Sequence, residues 1–211
     1  MKYKLSVAQE TEIVVPFTTK RAGELFTIFE ETTASSVSRF VYASSPNSEK
    51  VSALRGLGYD VVAPEIPIEY YDANLNLLKF LNGLSDLEER IFVGTSLGGF
   101  WANQMSLIYK RPTLLINPSC NPEKSLEKYN VPFFTRYNYP KIGTDADFPR
   151  ILILAFDDQV IDPKEAEKLF RKKVRMVCVD KGGHRFQRYD LIKKEIDYLF
   201  NTDFLTALDN C

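Results

Sequence analysis

Ile91-Phe92-Val93-Gly94-Thr95-Ser96-Leu97-Gly98-Gly99-Phe100 is the stretch on which the reading of this chain turns. A short apolar run ends at a Gly-x-Ser-x-Gly-Gly turn, and Trp101-Ala102-Asn103-Gln104-Met105 continues in helical fashion. A serine hydroxyl is a weak nucleophile unless the backbone holds it out at a tight strand-to-helix turn. Gly94 and Gly98 stand where side chains would crowd such a bend, and the first turn of the helix favours negative charge developing nearby. The pattern alone is common by chance. Strand, turn and helix in this order make it specific.

A nucleophile of this kind needs an acid and a histidine further along, each at the end of a later strand. The chain has one histidine, His184, after the apolar run and glycine loop Val177-Cys178-Val179-Asp180-Lys181-Gly182-Gly183. Between the two, Ile151-Leu152-Ile153-Leu154-Ala155-Phe156 runs into Asp157-Asp158-Gln159-Val160-Ile161-Asp162-Pro163. Residues that follow successive strands gather at one edge of a parallel sheet. The acid is open among Asp157, Asp158 and Asp162, although Asp162 before Pro163 reads as the N-cap of a helix from Lys164 to Lys172. Each candidate also has a plain alternative: Ser96 as a turn residue, Asp158 as a helix cap, His184 as a solvated loop residue.

Strand and helix signals alternate along the chain, so the expected fold is α/β, a doubly wound, mostly parallel sheet flanked by helices. Strands are expected at Lys4–Ala8, Glu12–Val15, Phe40–Ala43, Asp60–Ala63, Ile91–Val93, Thr113–Asn117, Ile151–Phe156 and Arg175–Val179. Helices are expected at Gly23–Glu31, Glu49–Leu57, Ala73–Leu81, Gly99–Tyr109, Pro122–Lys128, Pro163–Arg171 and Gln187–Phe200. Central strands apolar throughout are what helices on both faces require. Gly56 and Gly58 form a stop after the helix ending near Leu57.

The 211 residues suit a single domain, 1–211, able to bury a sizeable core. Residues 1–38 read as an extra N-terminal hairpin and helix, and 118–150 as a cap-like insert. A net charge of −1 offers no basic surface for nucleic acid or anionic membrane. No apolar run approaches the roughly 20 residues that cross a bilayer. The opening Met1-Lys2-Tyr3-Lys4-Leu5-Ser6 lacks a leader's apolar region. Three cysteines without metal-ligand spacing suggest reduced thiols and a cytoplasmic location. Cys178 reads as core. No Gly-x-x-x-x-Gly-Lys-Ser/Thr run supports a nucleotide site.

Several runs resemble the YqiA-type esterase family, small bacterial members of the α/β-hydrolase superfamily. Gly94–Phe100 is similar to that family's nucleophile segment, and Ile116-Asn117-Pro118-Ser119-Cys120-Asn121-Pro122 to its Asn-Pro turn. Asp158-Gln159-Val160-Ile161-Asp162 resembles its Asp-Glu-Val-Leu-Asp run, which points to Asp158 as the acid. Gly182-Gly183-His184-Arg185-Phe186 resembles its Gly-Gly-x-His-x-Phe. The likeness spans roughly Arg39 to Phe200. It departs at the first strand, where the family carries His-Gly-Phe and this chain has Ser44-Ser45-Pro46-Asn47-Ser48.

The resemblance implies a serine esterase or thioesterase acting on a small-molecule ester or thioester, without metal or organic cofactor. Ser96 would be the nucleophile, His184 the base and Asp158 its orienting acid. Leu97 would give one oxyanion N–H, and Ser44 or Ser45 the second. Losing one such donor costs about 3–4 kcal/mol of transition-state stabilisation. In the insert, Phe133, Phe134 and Tyr137 either line an acyl pocket or anchor the loop. Trp101 either touches substrate or packs its helix. A non-catalytic binding scaffold, and acyltransferase or peptidase chemistry on the same triad, remain as alternatives.

Overall fold

The computed structural model describes residues 24–28, 48–84 and 90–201. Six parallel strands lie in the order β2-β1-β3-β4-β5-β6. They are β1 (Glu24–Ile28), β2 (Asp60–Val62), β3 (Ile91–Thr95), β4 (Thr113–Ile116), β5 (Arg150–Ala155) and β6 (Arg175–Val179). The helices are α1 (Glu49–Gly56), α2 (Tyr70–Asn82), α3 (Leu97–Tyr109), α4 (Pro122–Glu127), α5 (Phe133–Arg136), α6 (Pro163–Phe170) and α7 (Tyr189–Asn201).

Local chemistry explains most of these boundaries. Ser48 caps α1 by accepting the Val51 N–H at 3.3 Å, and Gly58, at φ 93°, takes a conformation that side chains disfavour just after the helix. Asp162 caps α6 by accepting the Lys164 N–H at 3.0 Å, with Pro163 at the first helical position. Helix α7 buries Ile192, Ile196 and Leu199, one stripe at helical spacing.

The strands of the sheet centre, β3, β4 and β5, are buried along their whole length, so alternate residues serve opposite layers. Ile91, Val93, Leu114, Ile116, Ile151 and Ile153 face α1 and α7. Phe92, Leu115, Leu152 and Leu154 face α2, α3 and α6. The sheet is doubly wound, as expected.

Two expectations fail. Within the stretch expected as a helix, Gly23–Glu31, Glu24–Ile28 is a strand with parallel partners on both sides, Asp60–Val62 and Ile91–Gly94. Its apolar and β-branched run Leu25-Phe26-Thr27-Ile28 suits a strand, and two neighbours pair its backbone laterally, which outweighs helix propensity. Cys178 is not core either. It is exposed because β6 is the sheet's last strand. The expected strands Lys4–Ala8, Glu12–Val15 and Phe40–Ala43 lie outside the described residues.

The chain passes from β1 to β2 on one side and returns to β3 on the other. The sheet therefore has its switch point between β1 and β3, where ligands enter doubly wound sheets at the strands' C-terminal ends. Ser96 follows β3 at that point. The strand and helix meet there without room for side chains. A Cβ on Gly94 would strike the Gly98 carbonyl and stand 2.8 Å from the Ala102 Cβ, and one on Gly99 would stand 2.9 Å from the Pro118 Cβ. Gly94→Ala is expected to destabilise the fold by about 3 kcal/mol through this overpacking, read as a lowered midpoint in urea unfolding. A wild-type midpoint would mean that β3 and α3 separate without cost.

Candidate active site

Ser96 is the N-cap of α3 and has φ 56°, ψ −124°. A positive φ on a residue with a Cβ costs on the order of 1–3 kcal/mol and persists only where the surroundings enforce it. Here they do. The Ser96 N–H donates to the Ile116 carbonyl at 3.1 Å, and its own carbonyl accepts from Phe100 at 3.2 Å and Ser119 at 2.9 Å. The bend is thus tied to β4, to its own helix and to the turn after β4. Leu97 is the first residue of α3, where N–H groups project beyond the helix end.

The acid and histidine come together across the sheet's C-terminal edge. Asp158, with a fully buried side chain, lies 2.9 Å from His184 Nδ1 through Oδ2. Its Oδ1 accepts the N–H groups of Val160 at 2.7 Å and Ile161 at 2.9 Å. Asp158 is therefore no helix cap: its carboxylate closes the turn before α6 and meets the imidazole. An ionised carboxylate only accepts hydrogen bonds, so this pairing places the imidazole proton on Nδ1 and leaves Nε2 as an acceptor.

The other two acids do different work. Asp162 caps α6, as its position before Pro163 suggests. Asp157 turns back to the histidine loop, and its Oδ1 accepts the N–H groups of Gly182 at 2.9 Å and Gly183 at 2.8 Å. The bond from Gly183, then that from Gly182, holds its carboxyl below the usual carboxylate range. Phe186 plugs the same loop into the core: fully buried, at φ 40°, with its ring where a Cβ on Gly182 would fall.

Sequence reasoning assigned no role to Asn117 and weighed Asp157 only as the acid. Asn117 is buried and its two amide arms reach both segments of the site, accepting from Ala155 N–H at 2.8 Å and donating to the Gly183 carbonyl at 3.0 Å. The available signals were a polar residue just after the apolar strand Thr113–Ile116 and its place in the run that resembles the family's Asn-Pro turn.

The insert between β4 and β5 divides its aromatic residues. Tyr139, with Leu126, Val131 and Ile142, is buried and holds the insert to the body, and the Tyr139 hydroxyl donates to the Ile68 carbonyl at 2.8 Å. Phe133, Phe134 and Tyr137 are 61%, 68% and 52% exposed, which rules out the anchoring role for them. Lys128 donates to the Val160 carbonyl at 2.7 Å, so the insert meets the Asp158 loop. Of the two readings of Trp101, substrate contact and packing, its burial supports the packing one. It is 1% exposed and stacks on Tyr70 at 5.4 Å, with Phe100 and Tyr139 edge-on. Its ring is thus enclosed by the start of α2, by α3 and by the insert. Ser44 and Ser45 lie outside the described residues. Among the described residues no group of His, Cys, Asp and Glu is placed to hold a metal, and no helix is long and apolar enough to cross a membrane.

Comparison with known proteins agrees with this architecture. Residues 41–136 match the uncharacterised protein family UPF0227. No curated protein matches the chain. Among solved structures, the chain is similar to a putative hydrolase of the α/β superfamily from Xanthomonas campestris pv. campestris. The two are 19% identical, with a TM-score of 0.59, over 85% of this chain and 98% of that one. It is also similar to mouse α/β hydrolase domain-containing protein 10, at 16% identity and a TM-score of 0.60, over 86% and 90% of the two chains. A Pyrococcus furiosus esterase aligns at 14% identity and a TM-score of 0.60, over 86% and 81%. With its switch-point serine bend and parallel sheet, the chain has the α/β-hydrolase fold, and it matches family UPF0227 over residues 41–136.

Proposed function

We propose that the protein is a serine hydrolase that cleaves carboxylic esters or acyl thioesters through an acyl-enzyme. The observation that carries this reading is the buried Asp158 carboxylate on His184 Nδ1 at 2.9 Å, on the same sheet edge as the strained serine bend. The likeness to solved hydrolases and an esterase supports the reaction class.

In this mechanism His184 Nε2 takes the Ser96 hydroxyl proton as Oγ attacks the acyl carbonyl. The oxyanion is held by the Leu97 N–H and by a donor from Ser44 or Ser45. Collapse of the tetrahedral intermediate breaks the bond to the alcohol or thiol, which leaves with the proton from His184. Water then gives a proton to His184, attacks the acyl-enzyme, and releases the acid as the proton returns to Ser96. Asp158 stays ionised and stabilises the imidazolium. Phe133, Phe134 and Tyr137 would meet the acyl chain from the insert, an apolar surface that costs little to desolvate.

A second reading, a non-catalytic binding scaffold, draws on the absence of His-Gly at Ser44-Ser45. Turnover separates the two.

A fluorophosphonate probe is expected to label the protein at one site, with labelling lost in Ser96→Ala. Mass spectrometry locates the adduct, and a mutant that still reacts removes Ser96 from the role. Asp158→Asn keeps an oxygen for the Val160 and Ile161 N–H groups but offers the imidazole an amide. It is expected to lower kcat on p-nitrophenyl esters about 10⁴-fold by stabilising the wrong tautomer. Near-wild-type turnover would exclude Asp158 as the acid.

A further inference from the structure

We propose that Asn117 is a positioning residue for His184, an amide strap that sets the imidazole loop against the strand end carrying Asp158. The inference rests on the hydrolase reading above for its catalytic consequence, although the strap itself is a matter of geometry.

Asn117 follows β4 directly, with φ 42°, a left-handed backbone that asparagine tolerates better than most residues. That conformation turns its side chain across the sheet edge and not along the strand. Its own N–H donates to the Ile153 carbonyl at 2.9 Å, continuing the ladder by one bond. The amide then serves two main-chain groups of opposite polarity. Ala155 N–H, three residues before Asp158, can only donate, so it meets Oδ1. The Gly183 carbonyl, one residue before His184, can only accept, so it meets Nδ2. The orientation of the amide is therefore fixed by its partners.

This arrangement gives the turn after β4 a hold on all three candidate residues. Ser119 N–H reaches the Ser96 carbonyl at 2.9 Å, while Asn117 reaches the acid and base segments. Asp157 grips the histidine loop by its N–H groups and Asn117 by its carbonyl, so the loop is held on both sides of Gly183. Asp157 lies on the acid loop, directly before Asp158. Asn117 is the member that ties the histidine loop to the frame of the sheet. A base misplaced by about 1 Å loses on the order of 10²-fold in rate.

Asn117→Asp isolates the strap. It keeps the size and the acceptor for Ala155 N–H, but sets a carboxylate oxygen against the Gly183 carbonyl. Two readouts test it on the full chain. The first is kcat and KM for a p-nitrophenyl ester, read at a temperature where circular dichroism shows the variant folded. The second is the imidazole 15N and Nδ1–H spectrum, which reports His184 alone because the chain has one histidine. Asn117→Asp is expected to lower kcat about 10²-fold with KM near its wild-type value, and to broaden or shift the Nδ1–H signal. Wild-type kcat, or an unchanged imidazole spectrum in the folded variant, would overturn the proposal. If Asn117→Asp fails to fold, Asn117→Ala takes its place, and the same results count for and against the strap. Failure of the hydrolase reading looks different. In that case the wild-type chain itself neither turns over esters nor takes the fluorophosphonate at Ser96, and the imidazole spectrum alone decides the strap.

Discussion

The bend between β3 and α3 constrains everything near it. Strand and helix approach so closely at Gly94, Gly98 and Gly99 that a methyl group has no place at the first or third of these glycines. That contact fixes the direction of α3 and forces Ser96 to a positive φ. The conformational cost is met by main-chain hydrogen bonds to Ile116, Phe100 and Ser119, three different segments, so no single contact maintains it. A serine elsewhere in this chain would have the same hydroxyl and none of this presentation. The presentation of Ser96 is therefore a property of how tightly two elements pack.

Around that bend, the sheet's C-terminal rim is held together by short polar contacts between loops, while the apolar layers below supply the rigidity. Asp158 combines two tasks in one buried carboxylate, closing its own turn through Val160 and Ile161 and meeting the imidazole. Asp157 and Phe186 fix the histidine loop from two directions, one by backbone N–H groups and one by burial. A rim held in this way is preorganised, the condition under which the proposed hydrolysis would gain over a flexible site. The insert follows the same logic. Its buried residues hold it to the body, and its exposed aromatic residues remain available.

Much of this was readable in the residues alone. The bend at Gly94–Gly99, the Asp162-Pro163 cap and the stripe of α7 are local patterns, and local patterns depend on neighbours within a few positions. The central strands were plain because burial on both faces demands unbroken apolar runs. Errors arose where a segment's surroundings outweighed its own preference. Glu24–Ile28 takes the form of a strand because two neighbours pair with it. Cys178 is exposed because β6 lies last in the sheet, although its sequence pattern resembles a buried strand. Trp101 sits near the nucleophile along the chain, yet the helix turns its ring into the core.

What the sequence determined by itself is therefore most of the elements from Glu49 onward, the serine bend and the residues from which the candidate site is drawn, Ser96, His184 and the three aspartates. Which acid meets the imidazole required motif resemblance before the fold, and the fold then divided Asp157, Asp158 and Asp162 among three separate tasks. Only the tertiary structure could reveal what Asn117 holds, since its partners stand 38 and 66 positions away along the chain. The physical reason is that hydrogen bonds act over about 3 Å of space whatever the separation in sequence, so a residue's partners are set by where the sheet brings its strand ends.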